Sequence, residues 1–174
     1  MYRKFLFIRA LIFSAFQWGV ILDYWLCILN ERNWNVVKSK GIWGVSERHK
    51  NTIEKVEIGD KLIFYLVQEK TGEGILPSRI AGIGEAISKS FKDSSRIFSS
   101  KGFSSSETFP YRIKVRLEII LEKPLEFKPL IPKLSFIKNK RRWTGHIMGK
   151  AMRRIPKEDY ETMVSMAKKR RIYS

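Results

Sequence analysis

The chain of 174 residues contains one cysteine, Cys27, and two histidines, His49 and His146. A disulfide within a chain needs two cysteines, and a structural zinc site needs several cysteine or histidine ligands at close spacing. Disulfide-framework proteins and zinc fingers are therefore excluded. A nucleophilic triad is not predicted either, because each histidine has basic neighbours in the sequence rather than an acid and a nucleophile.

The sequence also lacks the glycine-rich motifs of nucleotide-binding enzymes. Neither GxxxxGK[ST] nor GxGxxG occurs, and the nearest approach, Gly82-Ile83-Gly84, is too short to hold a phosphate group. The carboxylates are scattered, whereas a metal-dependent nuclease requires them in clusters. We therefore expect no catalytic residues, no bound metal and no cofactor.

Acidic residues are scarce, above all in the second half of the chain. The sequence has 34 Lys and Arg residues against 17 Asp and Glu, a net charge of +17. Residues 1–87 carry 12 basic and 9 acidic side chains, residues 88–174 carry 22 and 8, and no acid lies between Glu126 and Glu158. Such a charge balance favours a polyanionic partner. Nucleic acid is the first candidate, and an anionic membrane surface is the second.

The first 22 residues form an apolar stretch that is interrupted by Arg9 and Gln17. A signal peptide would need an uninterrupted apolar core and a small-residue cleavage site. A membrane helix would bear a central arginine at a cost of roughly 2.5–3.5 kcal/mol. The third interpretation is an extension, residues 1–22, that precedes one domain of residues 23–174. We favour the extension and expect a cytoplasmic protein without stable membrane insertion.

The hydrophobic pattern predicts more strands than helices. Residues 61–67 are almost continuously apolar, which predicts a strand buried on both faces, and residues 111–122 alternate cleanly between apolar and polar. Further strands are predicted at residues 24–29, 79–88, 136–137 and 151–155, helices at 30–40 and 157–169, and loops at 42–51 and 89–110. This order predicts an α+β fold with a mixed or antiparallel sheet that curls into a barrel and has flanking helices.

Aromatic residues interleave with lysine and arginine at two places, around Trp43 and around Trp143. Bases stack on aromatic rings while Lys and Arg hold phosphates, so this pattern is typical of proteins that bind single strands or a base turned out of a duplex. Trp25 and Trp34 lie in regular elements, and we expect both to belong to the hydrophobic core.

Several spaced motifs, taken in order, resemble those of the EVE-domain family. The resemblance covers residues 24–168 and rests on residues 25–30, 41–50, 56–61, 109–112, 136–140 and 149–153, together with Tyr65 and Trp143. It implies a PUA-like pseudo-barrel related to YTH domains, which read a methylated adenine in RNA. It also strengthens the interpretation of residues 1–22 as an extension.

The resemblance implies a pocket for one modified base. Trp43 would form one wall, and an aromatic residue after Gly84, such as Phe91, would form the opposite wall. Gly44 and Val45 would offer backbone groups to the base edge, and Asn30 would offer a polar side chain. Ser46 also belongs to this loop and stands where most members have proline, which leaves the loop looser.

The basic residues near these motifs are predicted to bind phosphates, and Trp143 is a possible second aromatic contact. The predicted phosphate-binding residues are Arg48, Lys50, Arg112, Lys138, Lys140, Arg141, Arg142 and Lys150. The sequence therefore predicts a non-catalytic reader of RNA or DNA that takes one modified base. Two alternatives stay open: an enzyme that acts on RNA or DNA, and a sensor of a small ligand in the same pocket.

Overall fold

The structure, a computed structural model, describes residues 21–99 and 107–172. Nearly all of the predicted extension therefore lies outside the described residues. The strands are β1 (Tyr24–Leu29), β2 (Ile42–Val45), β3 (Lys61–Leu66), β4 (Glu69–Thr71), β5 (Gly74–Leu76), β6 (Arg79–Ala86), β7 (Phe91–Lys92), β8 (Tyr111–Glu126) and β9 (Met152–Ile155). The α-helices are α1 (Glu31–Lys40), α2 (Lys50–Ile53) and α3 (Lys157–Ile172), and short 3-10 helices span Glu47–His49, Lys128–Lys133 and Trp143–His146.

Seven strands form one curled sheet in the order β2-β8-β6-β3-β1-β9, and β7 pairs with β8 on the edge opposite β2. The β1–β3 pair is parallel, and the other pairs of this sheet are antiparallel. The ladders of β6 shift register at both of its neighbours, near Gly82 and Gly84, and such irregularities bend a sheet and increase its twist. The predicted α+β fold with a curled sheet is confirmed.

Each face of the sheet carries its own apolar core. One core packs β1, β3, β6 and β8 against the segment around Phe127 and against α3. The other core contains Trp25, Trp34 and Trp43 and lies under α1. Trp25 and Trp34 are 2% and 3% exposed, which confirms their predicted core positions. Strand β3 is buried on both faces, also as predicted.

Helix α1 is held in place at both ends and on its buried face. The Asn30 side chain accepts a hydrogen bond from the Asn33 backbone amide at 2.8 Å, and Gly41 ends the helix in the left-handed conformation. The Trp34 ring lies so close to Gly82 of β6 that any Cβ at that position would overlap it. This contact fixes the helix against the sheet and thereby positions Asn30 and Asn33 at the start of the helix.

Three local predictions are wrong, one of them at residues 89–110, which were predicted as a loop and contain the two-residue strand β7. Residues 42–51, predicted as a loop, begin with strand β2, whose four residues pair with β8. Residues 136–137, predicted as a short strand, form a turn, because the Phe136 amide donates to the Asp159 carboxylate and the Ile137 amide donates to the Leu134 carbonyl. Their backbone donors are therefore not available to a neighbouring strand. No helix among the described residues is long and apolar enough to cross a membrane.

Candidate functional site

An open cavity of about 610 Å³ lies between the start of α1, the segment after β2 and the segment before β9. We call it the first cavity. Its buried end carries Asn33 and Ser46, its exposed end carries Arg48, Lys70 and Lys150, and part of its wall is apolar. The lining residues are Ile28, Leu29, Asn30, Asn33, Ser46, Arg48, His49, Val67, Gln68, Glu69, Lys70, Ser99, Phe109, Lys150 and Ala151. The structure thus brings four predicted site residues together here: Asn30, Ser46, Arg48 and Lys150.

A segment of the 89–110 loop is tied to α1 beside this cavity. The Ser99 amide donates to Asn33 Oδ1 at 2.9 Å, and Asn33 Nδ2 donates back to the Ser99 carbonyl at 3.0 Å. Asn30 Nδ2 also donates to that carbonyl, at 3.4 Å. The asparagine amides at the floor of the cavity therefore hold the loop in position, and the loop completes the wall.

Trp43 is buried behind the first cavity and does not line it. The residue is 3% exposed, and its ring meets the rings of Phe64 and Phe98 edge to face at 6.5 Å and 6.4 Å. Its indole Nε1 is buried and has no hydrogen-bond partner among the described residues. The predicted open wall at Trp43 is therefore corrected: Phe98 occupies the space beside the ring where a base was expected.

Gly44 and Val45 lie in β2, and both are buried. A Cβ on Gly44 would lie 2.7 Å from Phe98 Cε2, so a glycine is required for the loop to approach this strand. Both residues pair with β8, Gly44 opposite Arg112 and Val45 opposite Tyr111. Neither Gly44 nor Val45 lines the first cavity, although the next residue, Ser46, does.

The predicted opposite wall, Phe91, is not near Trp43. Phe91 lies in β7 and pairs with Arg112, on the other edge of β8 from β2. The aromatic side chain that does line the first cavity is Phe109, whose ring packs against that of Phe98 at 5.8 Å. The sequence offered one signal for it, the Phe109-Pro110 pair within a motif of the family resemblance.

Arg112 is a correction to the predicted phosphate-binding set. Its side chain is fully buried, and its Nη1 lies 2.6 Å from an Asp93 carboxylate oxygen. Nε donates to the Phe109 carbonyl at 3.0 Å, Nη1 to Ser95 Oγ at 2.8 Å, and Nη2 to the carbonyls of Ser95 and Thr108. With its donors engaged in this way, the guanidinium fastens the 89–110 loop to β8 and does not face solvent.

Four other predicted cations lie in one exposed turn, residues 138–142. The Asn139 side chain shapes this turn by accepting the backbone amides of Arg141 and Arg142 at 3.1 Å and 3.0 Å. All four side chains are exposed. That of Lys140 is also held in place, because its Nζ donates to the Leu134 carbonyl at 2.5 Å. None of the four lines the first cavity, but Trp143, the next residue, lines a neighbouring cavity.

Lys50 also lies outside the cavity lining. Its Nζ is 5.3 Å from the centre of the Tyr111 ring and 4.0 Å from a Glu54 carboxylate oxygen. The Tyr111 hydroxyl in turn donates to Glu47 at 2.9 Å. Lys50 therefore contacts Tyr111 of β8 and Glu54 at the end of α2.

His49 lines the first cavity beside two cations. Its Nε2 accepts a hydrogen bond from Arg48 Nε at 3.0 Å. Burial, followed by the charges of Arg48 and Lys150, holds the pKa of His49 below its usual 6.5. The imidazole is therefore neutral at neutral pH, and it contributes hydrogen bonding rather than charge to the free protein.

We expect a phosphate-bearing ligand of the first cavity to bind more tightly as the pH falls. A phosphate placed between Arg48 and Lys150 would offset their charges and raise the pKa of His49, so binding would be coupled to proton uptake. The affinity measured at about pH 5.5 should exceed that measured at about pH 7.5 roughly threefold, and H49N should remove this difference. An equal rise in the variant would contradict the assignment to His49.

Among residues 21–99 and 107–172, no three His, Cys, Asp or Glu side chains are grouped to hold a metal ion. Cys27 is free and fully buried, and burial raises the pKa of its thiol. A low thiol pKa is what makes a cysteine nucleophilic, so this one is in an unreactive setting.

Comparison with known proteins identifies relatives along most of the chain. The profile of the EVE domain matches residues 23–166. A UPF0310 protein of Pyrococcus abyssi is 52% identical over 145 residues, which are 83% of this chain and 99% of that protein. A UPF0310 protein of Saccharolobus solfataricus is 29% identical over 119 residues, 68% of this chain and 75% of that protein.

Solved structures share the fold at low sequence identity. Human THYN1, solved in complex with 5-methylcytosine containing DNA, matches with a TM-score of 0.57 and 12% identity over 83% of this chain and 97% of its own. The YTH domain-containing protein mmi1, solved with RNA, matches with a TM-score of 0.54 and 12% identity over 87% of each chain. At this identity the likeness concerns the fold.

Proposed function

This chain belongs to the EVE-domain family, and from that premise we propose that it is a non-catalytic nucleic-acid-binding module. One modified base of the strand enters the first cavity, and basic side chains at and beyond its exposed end hold the phosphates. Proteins of this fold that were solved with a nucleic acid, THYN1 with 5-methylcytosine containing DNA and mmi1 with RNA, support the choice of ligand class.

The observation that carries this proposal is the division of the first cavity into a polar buried end and a cationic exposed end. Asn33 and Ser46 are 5% and 9% exposed, and Arg48 and Lys150 are exposed. A nucleotide has the matching division, since its base edge carries hydrogen-bonding groups and its phosphate is an anion. A cavity of this volume lies in the range of small-ligand sites.

The apolar part of the lining suggests why the base is modified. Ile28, Val67 and Ala151 line the cavity together with the Phe109 ring. A methyl group in contact with such side chains contributes about 0.8 kcal/mol by leaving water, which is roughly a fourfold preference. Phe109 takes the stacking role in this proposal, and Trp43 supports the wall from behind through Phe98.

The proposal is tested by binding of the full chain to labelled RNA and DNA strands, plain or with one methylated base, at two salt concentrations. We expect affinity to fall steeply with salt and to favour one methylated base at least about fourfold. F109A should remove the preference and keep the salt-dependent background. F91A, which removes a ring outside the cavity, is the matched control and should keep both properties.

Other outcomes separate the alternatives. Salt-dependent binding without any preference would leave a general nucleic-acid binder and overturn base reading. Binding of a free nucleoside but of no strand would favour the small-ligand sensor. A change in the mass of the nucleic acid after incubation, with or without a divalent metal, would favour the enzyme.

A further inference from the structure

A second cavity of about 500 Å³ adjoins the first. Its lining residues are Ile28, Arg48, Tyr65, Val67, Gln68, Ser78, Trp143, Thr144, Ile147, Met148, Gly149 and Lys150. Five residues line both cavities: Ile28, Arg48, Val67, Gln68 and Lys150. The two cavities therefore meet at a shared boundary that carries two cations, and we call the pair of cavities the groove.

We propose that the second cavity binds the base of the nucleotide next to the one in the first cavity. The phosphate that joins the two nucleotides then lies at the boundary, against Arg48 and Lys150. This inference rests on the proposed function, and it adds that the module contacts two consecutive bases of an unpaired strand rather than a single base.

The walls of the second cavity suit a base. The Trp143 ring is partly exposed and packs against the Phe127 ring at 5.7 Å, so its orientation is fixed before a ligand arrives. An aromatic face held in this way stacks with a base at about 1–3 kcal/mol and tolerates any base identity. The exposed Met148 side chain adds a soft apolar contact at the open edge.

The buried end of the second cavity carries two hydroxyl groups. Tyr65 and Ser78 are 3% and 6% exposed. Burial raises the pKa of Tyr65, which keeps its hydroxyl protonated and able to donate. A base edge presents donors and acceptors at the end of a flat ring, which matches hydroxyls placed at the end of an aromatic wall.

Charge argues against other occupants of the second cavity. None of the residues that line it is a carboxylate, and two are cations at the junction with the first cavity. A basic peptide or a polyamine would find no counter-ion there. In a nucleic-acid strand, by contrast, the phosphate between the two nucleotides would contact Arg48 and Lys150 at the boundary of the two cavities.

The test is a scan of abasic positions in a strand that carries the preferred base of the first cavity. We remove the neighbouring base on its 5′ side or on its 3′ side and measure the Kd of the full chain for each strand. Loss of the base on one side should weaken binding about tenfold, and loss on the other side should have little effect, because the groove continues in one direction.

W143A should abolish that difference between the intact and the abasic strand, and W143F should retain most of it. M148E provides a variant outside the core, since Met148 is 72% exposed, and it should also reduce the difference. I58E makes the same charge change at a residue that is 59% exposed and lines neither cavity, and it should leave the difference unchanged. Circular dichroism of each variant checks its folding.

The outcomes distinguish this inference from the function on which it rests. Failure of every strand to bind would overturn the proposed function. Binding of the intact strand with an equal Kd for all abasic strands would overturn the second subsite alone. A tenfold abasic effect that persists in both W143A and M148E would place the neighbouring base elsewhere and would also overturn it.

Discussion

R112M is expected to lower the free energy of unfolding by about 3 kcal/mol, since truncating one partner of a buried, hydrogen-bonded charge leaves the other groups without a partner. The fully buried guanidinium donates hydrogen bonds to the carbonyls of Ser95, Thr108 and Phe109, and a methionine has no donor for them. The 89–110 loop would lose the hydrogen bonds that the Arg112 side chain makes to it, and its backbone pairing with β8 through β7 would remain. Urea denaturation followed by circular dichroism measures the change, and the thermal midpoint should fall by roughly 10 °C.

R116M is the matched control, because Arg116 lies four residues further along the same face of β8. Its side chain is 68% exposed and pairs with Glu85, and an exposed pair contributes only about 0.2–1 kcal/mol. The two substitutions have the same chemistry and differ in burial. Equal stability of R112M and R116M would show that Arg112 does not anchor the loop.

K150E is expected to weaken strand binding about 30-fold, which corresponds to about 2 kcal/mol. Lys150 is exposed and lines both cavities, so in the proposed mode it contacts the phosphate between two bound nucleotides. The substitution removes a charge-assisted contact and introduces repulsion. The slope of log affinity against log salt should shrink by about one phosphate contact, and plain and methylated strands should lose affinity alike.

K123E carries the same charge change at an exposed lysine of β8 that lines neither cavity. We expect it to weaken binding less than about threefold, through long-range attraction alone. Similar losses in K150E and K123E would mean that net charge, and not the groove, determines affinity. Loss of the methyl preference alone in K150E would move Lys150 from the phosphate to the base.

The fold could be predicted largely from the sequence, because local patterns encode it. Alternation predicted β8 and continuous apolarity predicted β3, and the helix predicted at residues 30–40 corresponds to α1. Strand β2 escaped prediction, since its four residues contain a glycine and lack a period. Its pairing with β8 depends on residues about 70 positions away, and no local pattern reports such a partner.

The candidate site was predictable in part. Asn30, Ser46, Arg48 and Lys150 were named from motifs and line one cavity. The residues that lie between Trp43 and solvent were not predicted, because Phe98 and Phe109 come from a serine-rich loop whose path is set by Arg112, Asn30 and Asn33. Sequence alternation places a side chain on one face of a strand and gives no information on what covers that face.

The sequence by itself determined the charge of this protein, the absence of disulfide and cysteine-zinc chemistry, and its resemblance to the EVE-domain family, because these depend on which residues are present and in what order. Tertiary structure alone decided that Arg112 is buried and holds the 89–110 loop, whereas Arg116, on the same face of β8, is exposed. It also decided that Lys150 and Arg48 both line the two cavities. Burial and proximity arise from the packing of distant segments, and that packing is a property of the whole folded chain.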